Sequence, residues 1–96
     1  MTWWDIKAKW KIQKQVEKLP RNARDALNVL LAAIRKEGPT RHEWPNYGRL
    51  GENIHHCHLK KGHPTYVAVW EVIDKKVKLI EVLYAGTHEK SPYQKH

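Results

Sequence analysis

His56, His58 and Lys60 recur at every second position of one apolar-alternating run. In an extended strand, period two puts these three on one face, with His55, Cys57 and Leu59 on the other. Further along, His88, Lys90 and Tyr93 follow the last such run. Imidazole serves as base or acid near neutral pH, and lysine neutralises phosphate charge. Cleaving RNA without a metal needs that combination. A base removes the 2′-hydroxyl proton, cations hold the phosphate, and an acid protonates the leaving 5′-oxygen. The same residues would also serve a domain that only holds a phosphate backbone.

A zinc site is the competing reading of His-His-Cys-His. Adjacent strand residues point to opposite faces, however, and no CxxC or HxxxH spacing accompanies them. No metal and no other cofactor is therefore expected. His42 and His96 lie in a loop and at the tail and read as solvated, and His55 reads as a packing residue. His63 reads as a turn residue that borders the site. Lys75, Lys76 and Lys78 fit a solvated turn. Lys7, Lys9, Lys11 and Lys14 fit either an exposed edge or a surface facing an RNA backbone.

The elements that must position these groups can be read from periodicity. Trp4, Ile6 and Ala8 alternate with Asp5 and Lys7, which predicts a short strand near 3–8. Good helix formers then predict a helix near 9–18, stopped at Leu19-Pro20. Ala23, Leu27, Leu30, Leu31 and Ile34 predict a second helix, closed by Arg35, Lys36 and Gly38-Pro39. The two helices should form a hairpin over one sheet face. Residues 38–53 form the longest connection, with Trp44, Tyr47 and Leu50 as its anchors. Strands are predicted at 54–60, 65–73 and 77–85. Turns at Lys61-Gly62-His63-Pro64 and Asp74-Lys75-Lys76 make them antiparallel. Trp70 falls on a face with Tyr66, Ala68 and Val72 and reads as core; Val67, Val69 and Glu71 fall on the other.

Ninety-six residues suit one domain, spanning 1–96, with a modest core. The chain carries seven histidines, five tryptophans, four tyrosines and no phenylalanine. Its net charge of +8 favours a polyanionic partner. No apolar run is long enough to cross a membrane, and the first residues lack the apolar core of a secretory leader. The one cysteine, Cys57, has no partner within the chain, which suits a reducing, cytoplasmic setting.

The order strand, helix, helix, three antiparallel strands resembles the RelE/ParE superfamily of bacterial toxins over nearly the whole chain. Lys18-Leu19-Pro20 and the helix after it look like that family's helical hairpin. Tyr66 to Asp74 looks like its central strand and turn, and Tyr84-Ala85-Gly86-Thr87-His88 like its last strand. The Trp-Pro-Asn-Tyr and Tyr-Ala-Gly-Thr-His-Glu-Lys stretches look like the subgroup of cytotoxic translational repressors.

The resemblance implies an α+β fold, with an N-terminal strand and helical hairpin packed on a small antiparallel sheet. Its RelE branch implies a type II toxin–antitoxin toxin. Such a toxin enters the ribosomal A site, cuts mRNA there without a metal, and is held inactive by a cognate antitoxin. Its ParE branch implies a non-catalytic gyrase inhibitor; a degenerate RNA-binding domain is the third reading. In the RelE endonucleases the strand bearing His56 and His58 carries lysines at those positions. A basic residue matches His88, and the C-terminal tyrosine matches Tyr93. The catalytic candidates are thus His56, His58, His88 and Tyr93. One imidazole would be base and another acid, with His58 and His88 favoured and unranked. Lys60, Lys61, His63 and Lys90 are the phosphate and RNA ligands. One departure stands out: many members carry an arginine where this chain has Val67, a charge-stabilising contact commonly worth about 3–4 kcal/mol.

Overall fold

The computed structural model describes residues 3–60 and 64–93. The chain runs β1 (Asp5–Ala8), α1 (Trp10–Glu17), α2 (Arg21–Glu37), β2 (Gly48–Arg49), β3 (Ile54–Lys60), β4 (Tyr66–Asp74) and β5 (Leu79–Thr87). This is an α+β fold: two helices on one five-stranded sheet in the order β1-β5-β4-β3-β2.

Each helix forms where its apolar stripe can be buried. In α2, Ala23, Leu27, Leu30 and Ile34 fall on one face and are fully buried, each leucine contributing about 1.5–3 kcal/mol. Pro20 precedes its first residue, where a missing N–H costs nothing. Gly38 ends it with φ +104, a conformation strained for any side chain, and its N–H donates to the Ile34 carbonyl at 2.8 Å. In α1 only Ile12 is buried. Helix α1 lies along β5, and α2 along β3.

The strand and helix expectations fit within a residue or two. The sheet, however, is mixed: β3, β4 and β5 pair antiparallel, whereas β1 runs parallel to β5, from Asp5↔Leu79 to Ala8↔Val82. No hairpin joins β1 to β5, so no turn sets their direction. The added two-residue β2 pairs antiparallel with β3, Gly48 opposite His56. The expected turn at 61–63 lies outside the described residues.

Three register shifts were not foreseen. Trp70 faces Val82 while its neighbour Val69 faces Tyr84, leaving Leu83 as an extra residue in β5. A bulge of this kind reverses the alternation beyond it. Ile80 therefore packs with the helices, while Tyr84 packs on the opposite face with Val67 and Val69. The other two sit between Val72 and Asp74 in β4 and between His58 and Lys60 in β3.

The sheet thus has two apolar faces. The larger cluster lies under the helices and centres on Trp70, Leu27, Leu30, Cys57 and Ile80. The smaller lies on the open face: Val67, Val69 and Tyr84, flanked by Leu50, Ile54, Leu83 and Tyr93.

Candidate active site

The open face of β3 and β4 builds a small concave pocket. Along β3 the burial alternates strictly: His55, Cys57 and Leu59 are buried, while His56 and His58 are half-exposed. His56 stands opposite Val69 and His58 opposite Val67, so both imidazoles rise from an apolar floor. The pocket holds about 100 Å³, with Val67 and Val69 beneath and His56, His88 and Tyr93 at its rim.

His88 arrives from the end of β5. Its backbone N–H donates to the Thr65 carbonyl at 2.8 Å, fixing the chain just past the strand. Its ring meets that of His58 edge-on, with centroids 5.7 Å apart and planes at 63°. The chain then folds back. The Ser91 N–H donates to the His88 carbonyl at 3.3 Å, and the Tyr93 N–H donates to Ser91 Oγ at 3.1 Å. This turn swings Tyr93 onto the pocket instead of away from the domain. Ser91 is a positioning residue that sequence patterning did not reveal; Ser-Pro two residues before the tyrosine is the signal that pointed to a turn.

The far wall comes from the long connection. Leu50 reaches the pocket because its N–H donates to the Ile54 carbonyl at 2.9 Å, beside the short strand β2. Gly48 lies so close to the His56 ring that a Cβ there would stand 3.3 Å from Nε2. A glycine is what lets the loop and the imidazole share that space.

The loop is held from the other face of the same strand. His55 is buried and bonds the Tyr47 hydroxyl through Nδ1 at 2.6 Å. Its ring lies parallel to Trp70, at 7° with centroids 5.8 Å apart, and the Trp70 indole N–H donates to the Pro39 carbonyl at 3.0 Å. Burial, aided by the Arg49 charge, pushes the His55 pKa down to about 4. His55 is thus a neutral core residue that carries a loop.

The remaining candidates divide. Lys60 stands opposite Tyr66, which packs toward the helices, so the β3 shift takes it out of the alternation of His56 and His58. Exposed Lys90 lies on the far side of Tyr93, against a neighbouring groove. Lys61, His63 and His96 lie outside the described residues. Cys57 faces the helices, fully buried, and burial pushes its thiol up to about 12. With that sulfur on the far face, no group of three or more metal-binding side chains converges among the described residues. Burial also raises the pKa of the Tyr84 hydroxyl, which donates to the Thr87 carbonyl at 2.7 Å.

Neither a family model nor a curated protein matches the chain. Solved structures do. A mutant E. coli RelE toxin in the free state shares 22% identity at a TM-score of 0.69, covering 97% of this chain and 90% of its own. The isolated E. coli RelE toxin shares 24% at 0.66, over 93% of this chain and 88% of its own. The RelE of an archaeal RelE–RelB complex from Pyrococcus horikoshii shares 16% at 0.66, over 95% and 100%. The fold is that of the RelE toxins. It covers nearly the full length, so the helical hairpin, the central strand and the segment after β5 all have counterparts there. At this identity the likeness establishes architecture, and activity has to be argued from the pocket.

Proposed function

We propose that this chain is the toxin of a type II toxin–antitoxin pair and that it cuts mRNA on the ribosome without a metal. The observation that carries the reading is that His56, His88 and Tyr93 line one open pocket, with the His58 ring edge-on against that of His88. Imidazoles so grouped supply both a base and an acid near neutral pH. One takes the proton from the ribose 2′-hydroxyl, and the 2′-oxygen attacks phosphorus. The bond from phosphorus to the 5′-oxygen breaks, and a second imidazole protonates that oxygen. The products are a 2′,3′-cyclic phosphate and a free 5′-hydroxyl. Tyr93 offers a ring for a base to stack on. The phosphate ligands proposed are Lys60, Lys61, His63 and Lys90, of which Lys60 and Lys90 stand outside the row of His56 and His58.

The RelE–RelB neighbour supports a cognate antitoxin as partner. The RelE-like fold and the +8 net charge support the ribosome and mRNA as further partners. Among the described residues no helix is long and apolar enough to cross a membrane; the proposed site of action is the cytoplasm. The test is to incubate the protein with programmed ribosomes and a chelator. Message ends should appear as 2′,3′-cyclic phosphates; ends bearing 5′-phosphates, or cutting abolished by the chelator, would exclude this chemistry.

One observation favours a second reading, the ParE-like gyrase inhibitor. Val67, where RelE relatives carry arginine, is buried in an apolar floor and brings no charge to the phosphate. Inhibition of gyrase supercoiling by the purified protein, with messages intact, would select it.

A further inference from the structure

Next to the imidazole pocket, and sharing Tyr93 with it, a groove of about 420 Å³ runs between α1 and β5. A third cavity of about 470 Å³ continues it past Gln15, Tyr84 and Lys90 toward Tyr66 and Thr87. The groove exists because β1 pairs only as far as Val82. Beyond that point the outer edge of β5 has no strand beside it, and α1 takes its place. The Gln15 side chain accepts the Ala85 N–H at 3.1 Å and so satisfies one edge donor.

Charge on α1 is sorted around this groove. Lys11, Gln15 and Lys18 follow i, i+4, i+7 and form one stripe that faces it. Lys14, on the flank of that stripe, lines neither cavity; it pairs with Glu17 at 3.9 Å and covers the Trp10 ring at 4.6 Å. Lys11, Lys18 and Lys90 enter no ion pair among the described residues. Among the described residues the groove's one acid, Glu81, is opposed by Lys9 at 3.9 Å. Between the cations stand the part-exposed rings of Tyr93 and Tyr66, with buried Tyr84 beneath. At the far end, Thr87 Oγ1 is buried with no hydrogen-bond partner, an atom that wants one.

Alternating cations and aromatic rings beside a cleavage pocket match the needs of a single nucleic-acid strand. Its phosphates need positive charge, and its bases need flat apolar surfaces. Resting on the reading of the pocket as an RNA site, we propose that this groove is a track for the nucleotides flanking the cut. Lys11, Lys18 and Lys90 hold successive phosphates, and Tyr93 divides the track from the imidazoles. An acidic peptide would use the lysines but has no use for the tyrosine faces.

The test measures anisotropy of a labelled, uncleavable 2′-O-methyl oligoribonucleotide with the full-length protein across a salt series. Lys11→Glu/Lys18→Glu is compared with Lys14→Glu, which flanks the stripe on the same exposed helix but lines neither cavity and already pairs with Glu17. The track predicts at least tenfold weaker binding for the double variant. The slope of log affinity against log salt should also fall by about one to two, since each phosphate contact on a single strand contributes about 0.7. Lys14→Glu should stay within about threefold of wild type. Equal losses in the two helix variants would overturn the track. So would a wild-type protein that ignores the oligoribonucleotide yet binds polyglutamate at the groove. Track-dependent binding with no cut message anywhere would uphold the track and overturn the nuclease.

Discussion

Three histidines stand within four residues of β3, and the strand assigns them opposite physical lives. His55 points under the helices, stacks beside Trp70, bonds Tyr47 and is held neutral down to about pH 4. His56 and His58 point the other way, half-exposed over valines, within reach of His88 and Tyr93. Residue type is the same; the pleat alone decides which imidazole holds the fold and which face the open pocket. A histidine-rich stretch therefore has to be divided by parity before any of it is read as chemistry.

Alanine substitutions on the two faces should separate most sharply. His88→Ala should cut message about 10²–10⁴-fold more slowly, the usual cost of losing a proton-transfer group. Its melting temperature should hold, because His88 is exposed. His55→Ala should do the reverse. It should lose about 3 kcal/mol of stability, as aromatic truncations in a packed core do, with cutting retained at low temperature. Denaturant melts and single-turnover cutting of both proteins read the contrast; similar profiles would erase the distinction between faces.

Acid should act through the buried face as well. The unfolded chain protonates His55 near pH 6.5, while the folded chain resists until about 4. Stability is therefore complete above 6.5 and declines as pH falls toward 4, by on the order of 3 kcal/mol across the window. Urea melts of His55→Phe should show a flatter profile between pH 6.5 and 5; an unchanged slope would mean that His55 does not carry the loss.

How far this division was legible in the sequence depends on the range of the interactions behind it. The helices announce themselves, because Ala23, Leu27, Leu30 and Ile34 need only local spacing to form a buried stripe. The alternation of His55, Cys57 and Leu59 against His56 and His58 is equally local. Trp44 and Tyr47 anchor the long connection to the main core, as their size suggests, whereas Leu50 crosses to the other cluster. What the sequence hides is register. The extra residue at Leu83 turns Tyr84 to the open face, and the shift before Lys60 removes that lysine from the histidine row. Neither bulge has a composition signal, since both arise from fitting neighbouring strands. The parallel pairing of β1 and the bond between Tyr47 and His55 are likewise set by distant contacts.

Two smaller effects sharpen the comparison. Tyr47→Phe removes one hydroxyl and leaves His55 Nδ1 buried without its bond, which should cost about 1–2 kcal/mol. Amide exchange should quicken in residues 44–50, and cutting should fall only as far as Leu50 and β2 loosen around His56. Ser91→Ala removes the hydroxyl that accepts the Tyr93 N–H. It should slow cutting by no more than about tenfold, the reach of one neutral hydrogen bond of about 1 kcal/mol, with the melting temperature nearly unchanged. A Ser91→Ala protein that cuts at the wild-type rate would show that Tyr93 needs no such tether.

The most direct test is primer extension on a defined message in a translating extract, comparing the wild-type protein with His58→Ala/His88→Ala. The imidazole pocket predicts breaks at codon positions that require ribosomes and vanish in the double variant, with the variant folded. Breaks that persist in the folded variant, or an intact message while the wild-type protein still arrests growth, would contradict it.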